Sequence, residues 1–200
     1  MQHGFLEPRN VAPLFSPTLA HELLDDPERV KWEKPSELVR ELRLNNGAVV
    51  ADIGTGSGFL LPYLSKSVGK NGHVYGEEIQ DEYMPQLSSI ARKLSNVSVI
   101  SGSPEDPKLP TKVDAFVLLT VYHEVDHPVE FLSTLRRYAK PDAQLAIIDF
   151  DKTRKGTPKA PEGHEVSEKA VIAEADAAGW KLYRRVNLIS SQFYLIFKQK

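Results

Sequence analysis

Cysteine is absent from this chain of 200 residues. Its absence excludes disulfides, thiolate metal sites and cysteine nucleophiles, and leaves the redox compartment open. An excess of either charge is lacking too. The 25 Lys and Arg face 27 Asp and Glu, a formal net charge of -2. Such a balance gives no broad basic field for gripping nucleic acid, so neither RNA nor DNA is expected as a bulk partner. No apolar run approaches the roughly 18 residues that a membrane span requires. The opening Met-Gln-His-Gly-Phe-Leu-Glu-Pro-Arg-Asn lacks the basic-then-apolar layout of a signal peptide. These absences predict a soluble, cytoplasmic protein. The histidines are scattered, with no pair at ligand spacing on one helix or strand, so no metal site is expected.

What is present is an ordinary globular balance, 41% hydrophobic and 26% charged. The length suits a single domain over residues 1–200. Residues 1–34 read as an irregular N-terminal arm, broken by Pro8, Pro13, Pro17 and Pro27, with a short helix around 18–24. Helix and strand patterns then alternate. A helix begins at Pro35, and strands are expected at 48–53, 73–79, 97–101, 113–120 and 144–150. Helices are expected between them at 58–67, 81–94 and 128–139. Residues 151–166 form a Lys-, Gly- and Pro-rich loop too long for a plain connector, a candidate substrate lid. Ser167 caps a further helix, and strands near 181–188 and 192–198 pair as an antiparallel hairpin. The expected fold is α/β: a doubly wound, mostly parallel seven-stranded sheet, ending in that hairpin and covered by helices on both faces.

Chemistry concentrates at strand ends, where ligands bind in such sheets. Val-Val-Ala-Asp-Ile-Gly-Thr-Gly-Ser-Gly-Phe-Leu runs from a buried strand into a glycine turn. Its glycines, Gly54, Gly56 and Gly58, do not match G-x-G-x-x-G, because Phe59 stands where the third glycine would fall. No Gly-Lys-Ser/Thr follows, which excludes a phosphate-binding P-loop. Asp52 would repel a pyrophosphate and suits a cationic amine or sulfonium. Glu78, twenty residues after Gly58, stands at the spacing of a ribose-binding acid. Ser103, Pro104 and Glu105 make an acidic turn after the third strand, where an adenine amino group could be held. The fourth strand ends at Thr120, followed by Val121, Tyr122, His123 and Glu124.

This set resembles the class I S-adenosylmethionine-dependent methyltransferases, in the branch of the quinone-biosynthesis methyltransferases. The resemblance covers about residues 35–150 well and the rest in outline. It rests on Asp-Ile-Gly-Thr-Gly-Ser-Gly, Glu78, the turn from Ser103 to Asp106, and Tyr-Ala-Lys-Pro-Asp-Ala-Gln-Leu. The chain departs from the family at Pro141-Asp142-Ala143, usually Pro-Gly-Gly, and at Glu78, usually an aspartate. The resemblance implies that S-adenosyl-L-methionine is bound and S-adenosyl-L-homocysteine released. Asp52, Gly54, Thr55, Gly56, Gly58 and Phe59 would then seat the methionine portion, with Thr120 nearby. Glu78 would take the ribose, Ile79 the adenine face, and Ser103, Pro104 and Glu105 its edge.

Methyl transfer from a sulfonium needs the acceptor aligned at about 3 Å and water excluded. A base is needed only for a weakly acidic hydroxyl or a protonated amine. The candidates are His123 and His164, with Tyr122 and Glu124 as helpers. The acceptor pocket is expected from the arm and the 151–166 loop, with Phe15 and Trp32 either lipping the cofactor or pinning the arm. Lys152, Arg154, Lys155 and Lys159 make that loop basic, suiting an anionic substrate or simply a solvated face. The expected partner is a small-molecule methyl acceptor, and a homo-oligomer is left open. Alternative readings are a non-catalytic S-adenosylmethionine-binding regulator or scaffold, a protein or RNA methyltransferase, and, more distantly, a nicotinamide enzyme.

Overall fold

The computed structural model describes residues 11–14, 26–156 and 158–200. The helix expected at 18–24 and Phe15 lie outside the described residues. Two short helices open the described core, α1 (Arg29–Glu33) and α2 (Pro35–Glu41). Next come β1 (Val49–Ile53), α3 (Leu61–Val68), β2 (His73–Glu78), α4 (Met84–Lys93), β3 (Val97–Ser101) and β4 (Val113–Leu119). The second half holds α5 (Pro128–Arg137), β5 (Ala139–Phe150), α6 (Glu168–Ala177), β6 (Trp180–Arg185) and β7 (Gln192–Gln199). One seven-stranded sheet runs β3-β2-β1-β4-β5-β7-β6. β7 is antiparallel to both β5 and β6, so the terminal hairpin inserts one reversed strand as expected.

The central strands are apolar on both faces because helices cover both. In β4, Ala115 and Val117 join one core with Leu38, Leu61, Leu64 and Leu87 from α2, α3 and α4. The alternate residues Phe116 and Leu118 join a second core with Leu132, Leu135, Val171 and Trp180. Trp180 is fully buried, packs edge-on to Phe116, and satisfies its indole N–H on the Leu132 carbonyl at 3.0 Å.

Four local readings change. Part of the arm is helical: α1 is held by an Arg29–Glu33 pair across one turn, a spacing that favours helix. Residues 81–83 form a separate 3-10 turn before α4, with Pro85 in that helix's first turn. β5 begins at Ala139, but its pairing with β4 jumps from Ala139 to Gln144 opposite Val113 and Ala115. Pro141 has no N–H to give to a ladder, so the strand bulges where the sequence suggested a turn. The hairpin's first strand stops at Arg185, three residues short of the expectation.

Candidate active site

The carboxyl ends of β1, β2 and β4 open into a cavity of about 570 Å³. The glycine turn forms its floor. Gly54, Gly56 and Gly58 all have positive φ, at 62°, 55° and 83°, which side chains adopt only with strain. A Cβ on Gly54 would also collide with the Val121 side chain. Gly58 does not line the cavity; a Cβ there would press on Ile90 Cδ1 at 2.8 Å, so this glycine serves helix packing. Each of the other expected cofactor residues, Asp52, Gly54, Thr55, Gly56, Phe59, Glu78, Ile79, Ser103, Pro104, Glu105 and Thr120, lines it.

Asp52 is 3% exposed and accepts a hydrogen bond from Thr55 Oγ1 at 2.6 Å. Burial pushes its carboxyl up to about 7, against the Thr55 bond and the positive charge of Arg29. Glu78 accepts from three backbone amides: Gly56 N on Oε2 at 2.8 Å, and Ile79 N and Gln80 N on Oε1 at 2.9 and 3.0 Å. Burial still outweighs those bonds, and its carboxyl sits above the usual carboxylate range. Thr120 closes the far side with φ 56°, unusual for a β-branched residue, and accepts from Gln192 Nε2 at 3.3 Å.

Among the cavity residues that escaped the sequence reading, two are buried and charged. Glu77 is buried, accepts from Gly54 N at 3.2 Å, and is pushed by burial up to about 8. Arg29, 4% exposed, pairs with the buried Glu33 at 2.6 Å and stacks over the Phe59 ring at 4.0 Å. A signal existed for each. Glu77 is the adjoining acid at the same strand end, and Arg29 and Glu33 stand four apart.

The expected catalytic residues fall behind the cavity wall. Tyr122 is a correction: its side chain is fully buried in the second core, its hydroxyl donates to Glu174 Oε2 at 2.8 Å, and it does not line the cavity. His123 and His164 come together, Nε2 to Nδ1 at 3.2 Å, but neither lines the cavity. His123 Nδ1 lies 2.8 Å from Asp149 Oδ1, a partner not foreseen, although Asp149 ends an apolar strand much as Asp52 does. Burial, then the neighbouring His123, holds the His164 imidazole below its usual value. Glu124 connects this group to the cavity: it lines the wall, and its Oε1 lies 3.8 Å from His123 Nε2.

The two variable segments also divide. Val11, Ala12 and Leu14 of the arm line the cavity, and Ala12 N donates to the His123 carbonyl at 3.2 Å. Trp32 packs near Phe150, ring centroids 6.4 Å apart, and pins the arm rather than lipping the cavity. No described residue of 151–166 lines the cavity. That loop is tied down instead, with Arg154 on Glu168 at 2.9 Å and Val166 N on the Phe150 carbonyl at 2.9 Å.

The family model described as "Methyltransferase domain" matches residues 44–194. The chain belongs to that family, the class I S-adenosylmethionine-dependent methyltransferases. A solved S-adenosylmethionine-dependent methyltransferase from Aquifex aeolicus is 34% identical, with a TM-score of 0.85 over 93% of this chain and 100% of that one. The mitochondrial ubiquinone biosynthesis O-methyltransferase of Schizosaccharomyces pombe is 27% identical over 119 residues, 59% of this chain and 43% of the relative. The demethylmenaquinone methyltransferase of Listeria welshimeri is 27% identical over 125 residues, 60% and 51% of the two chains. This methyltransferase domain thus spans about half the length of those curated relatives. Among its described residues no helix is long and apolar enough to cross a membrane.

The site suits the family's cofactor on its own chemistry. A bare glycine floor admits close backbone approach, and a cationic ligand would offer the buried Asp52, Glu77 and Glu78 the positive charge that stabilises their ionised forms. The more distant nicotinamide alternative is disfavoured, because its pyrophosphate would meet the same acids.

Proposed function

We propose that this methyltransferase moves a methyl group from S-adenosylmethionine to a small, largely apolar acceptor. The observation that carries this is the pairing of Asp52 and Glu78 across the glycine turn, in a cavity lined mainly by apolar surface, with Glu124, Asp126, His127 and Glu130 also on its wall. When bound, S-adenosylmethionine supplies a methyl already activated by its sulfonium. Asp52 would hold its ammonium group, and the backbone of Gly54, Thr55 and Gly56 would lie against the methionine portion. Glu78 would take the ribose. Three of its roughly four acceptor positions already serve amides, so it offers one further strong bond at Oε2 rather than two. Ile79 would cover the adenine, with Ser103, Pro104 and Glu105 at its edge, and Thr120 would stand beside the transferred carbon. Val11, Ala12, Leu14, Val125 and Phe131 supply apolar wall for the acceptor and exclude water from it. The names of the quinone-biosynthesis relatives support an acceptor of that flat, apolar kind.

No protein base is required by this reading, and His123 and His164 act behind the wall rather than on the acceptor. Calorimetry with S-adenosylhomocysteine tests the cofactor seat. Binding is expected, weakened about tenfold or more by Glu78→Ala, the loss of one charge-assisted hydrogen bond. No heat at millimolar ligand would end the proposal. Transfer of labelled methyl to small quinols and phenols tests the activity, and tight binding without transfer to any acceptor would favour a regulatory binder.

A further inference from the structure

Behind the cavity wall three side chains converge from two separate parts of the chain. His123 and Glu124 come from the 3-10 turn Tyr122–Glu124 that follows β4, and His164 from the 151–166 loop. One ligand atom of each lies within 4.8 Å of the others. His123 and His164 are 1% and 6% exposed. We propose that His123 Nε2, His164 Nδ1 and a Glu124 carboxylate oxygen bind a divalent first-row transition ion, with zinc as the representative, clasping the loop to the end of β4.

The geometry is that of shared ligands. A tetrahedral ion with metal–nitrogen distances of roughly 2.0–2.1 Å separates its ligand nitrogens by about 3.3 Å. His123 Nε2 and His164 Nδ1 are 3.2 Å apart, and Glu124 Oε1 is 3.8 Å from His123 Nε2. The 3.2 Å spacing also serves an N–H···N hydrogen bond, which holds the two rings together without an ion.

Asp149 decides which nitrogen of His123 faces the cluster. Its carboxylate accepts from Phe150 N and His123 N at 2.8 and 3.0 Å, and from His123 Nδ1 at 2.8 Å. A group that accepts from two amides requires Nδ1 to carry its proton. Nε2 is thereby left with its lone pair toward His164 and Glu124. A carboxylate behind a ligating imidazole is the usual outer support of a histidine metal site, fixing ring orientation and raising basicity. Two imidazoles and one carboxylate suit zinc, iron, cobalt or nickel better than magnesium or calcium, which prefer all-oxygen shells. Three protein ligands also leave a fourth position for water.

The full chain, stripped with chelator and titrated with zinc sulfate in a calorimeter, tests this without any methyl donor or acceptor. Its outcome is therefore independent of the methyl-transfer reading. One zinc per chain is expected, with cobalt giving the visible absorption of a mixed nitrogen and oxygen site. His164→Asn keeps a polar side chain beside His123 and should weaken zinc by about 100-fold or more, while Asp149→Asn should weaken it about 10–100-fold. Glu124→Gln, which keeps the shape of a side chain 9% exposed on the cavity wall, repeats the test from the other segment. His73→Ala, paired with Ser98 away from the cluster, should change nothing. No zinc binding by the unaltered chain, or undiminished binding in both His164→Asn and Glu124→Gln, overturns the proposal. So does zinc lost only with His127→Ala, which would mark the exposed Asp126–His127 pair as the site.

Discussion

Arg29 sits where three demands meet. It neutralises the buried Glu33, caps the Phe59 ring, and lends positive charge to Asp52. Removing it leaves Glu33 buried and uncompensated. Arg29→Ala should therefore cost about 3–5 kcal/mol in urea unfolding. It should also raise the Asp52 pKa further, moving any pH dependence of cofactor binding upward. Asp52 and Glu78 were legible because the position of an acid relative to a glycine turn is a local property. Arg29, Glu77 and Asp149 were harder to see. Their roles depend on which side chains meet across elements, and a strand-end acid facing a ring or an amide looks in sequence like any solvated acid. Tyr122 misled for the same reason: it adjoins His123 in sequence, yet the turn sends its hydroxyl to Glu174 on the helix of the second core.

At the scale of elements, the glycine turn is the least tolerant piece. Gly54→Ala meets positive φ and the Val121 side chain together. A loss of about 1–3 kcal/mol is expected from backbone strain, with a larger fall in affinity for S-adenosylhomocysteine. Val121→Ala added to it should relieve the clash but not the φ, so thermal denaturation should recover only in part. The order of strands and helices could be read from periodicity, since central strands are apolar throughout and helices carry one apolar face. Boundaries slipped where a single residue overrides a pattern. Pro141 turned an expected break into a bulged strand, and Arg29 with Glu33 made a helix inside a proline-rich arm. The 151–166 loop was read as a lid from its length and composition. Its Arg154–Glu168 ion pair and its buried His164 instead fasten it behind the cavity, which composition could not reveal.

For the whole molecule, the buried acids set a pH response opposite to the common one. Asp52 and Glu77 are raised in the folded chain to about 7 and about 8, from ordinary carboxylate values near 4. Between those limits the folded state holds protons that the unfolded state has released. Stability from these two groups should therefore fall as pH rises from about 4 to about 8, then level off. Melting temperatures of the cofactor-free chain across that range measure it. Glu77→Gln should flatten the upper part and raise the melting temperature at pH 8, because the amide has no charge for burial to penalise. A melting temperature that climbs steadily to pH 8 would contradict the burial argument.

His123 has a second consequence beyond its ring. Its carbonyl receives the arm through Ala12, and its imidazole meets the loop through His164. The segments around Ala12 and around His164 are thus fastened to one residue. Among descendants of this chain, divergence around Ala12 should track divergence around His164. Exchanging either segment alone should lower the melting temperature more than exchanging both together, because each is shaped to the other through His123.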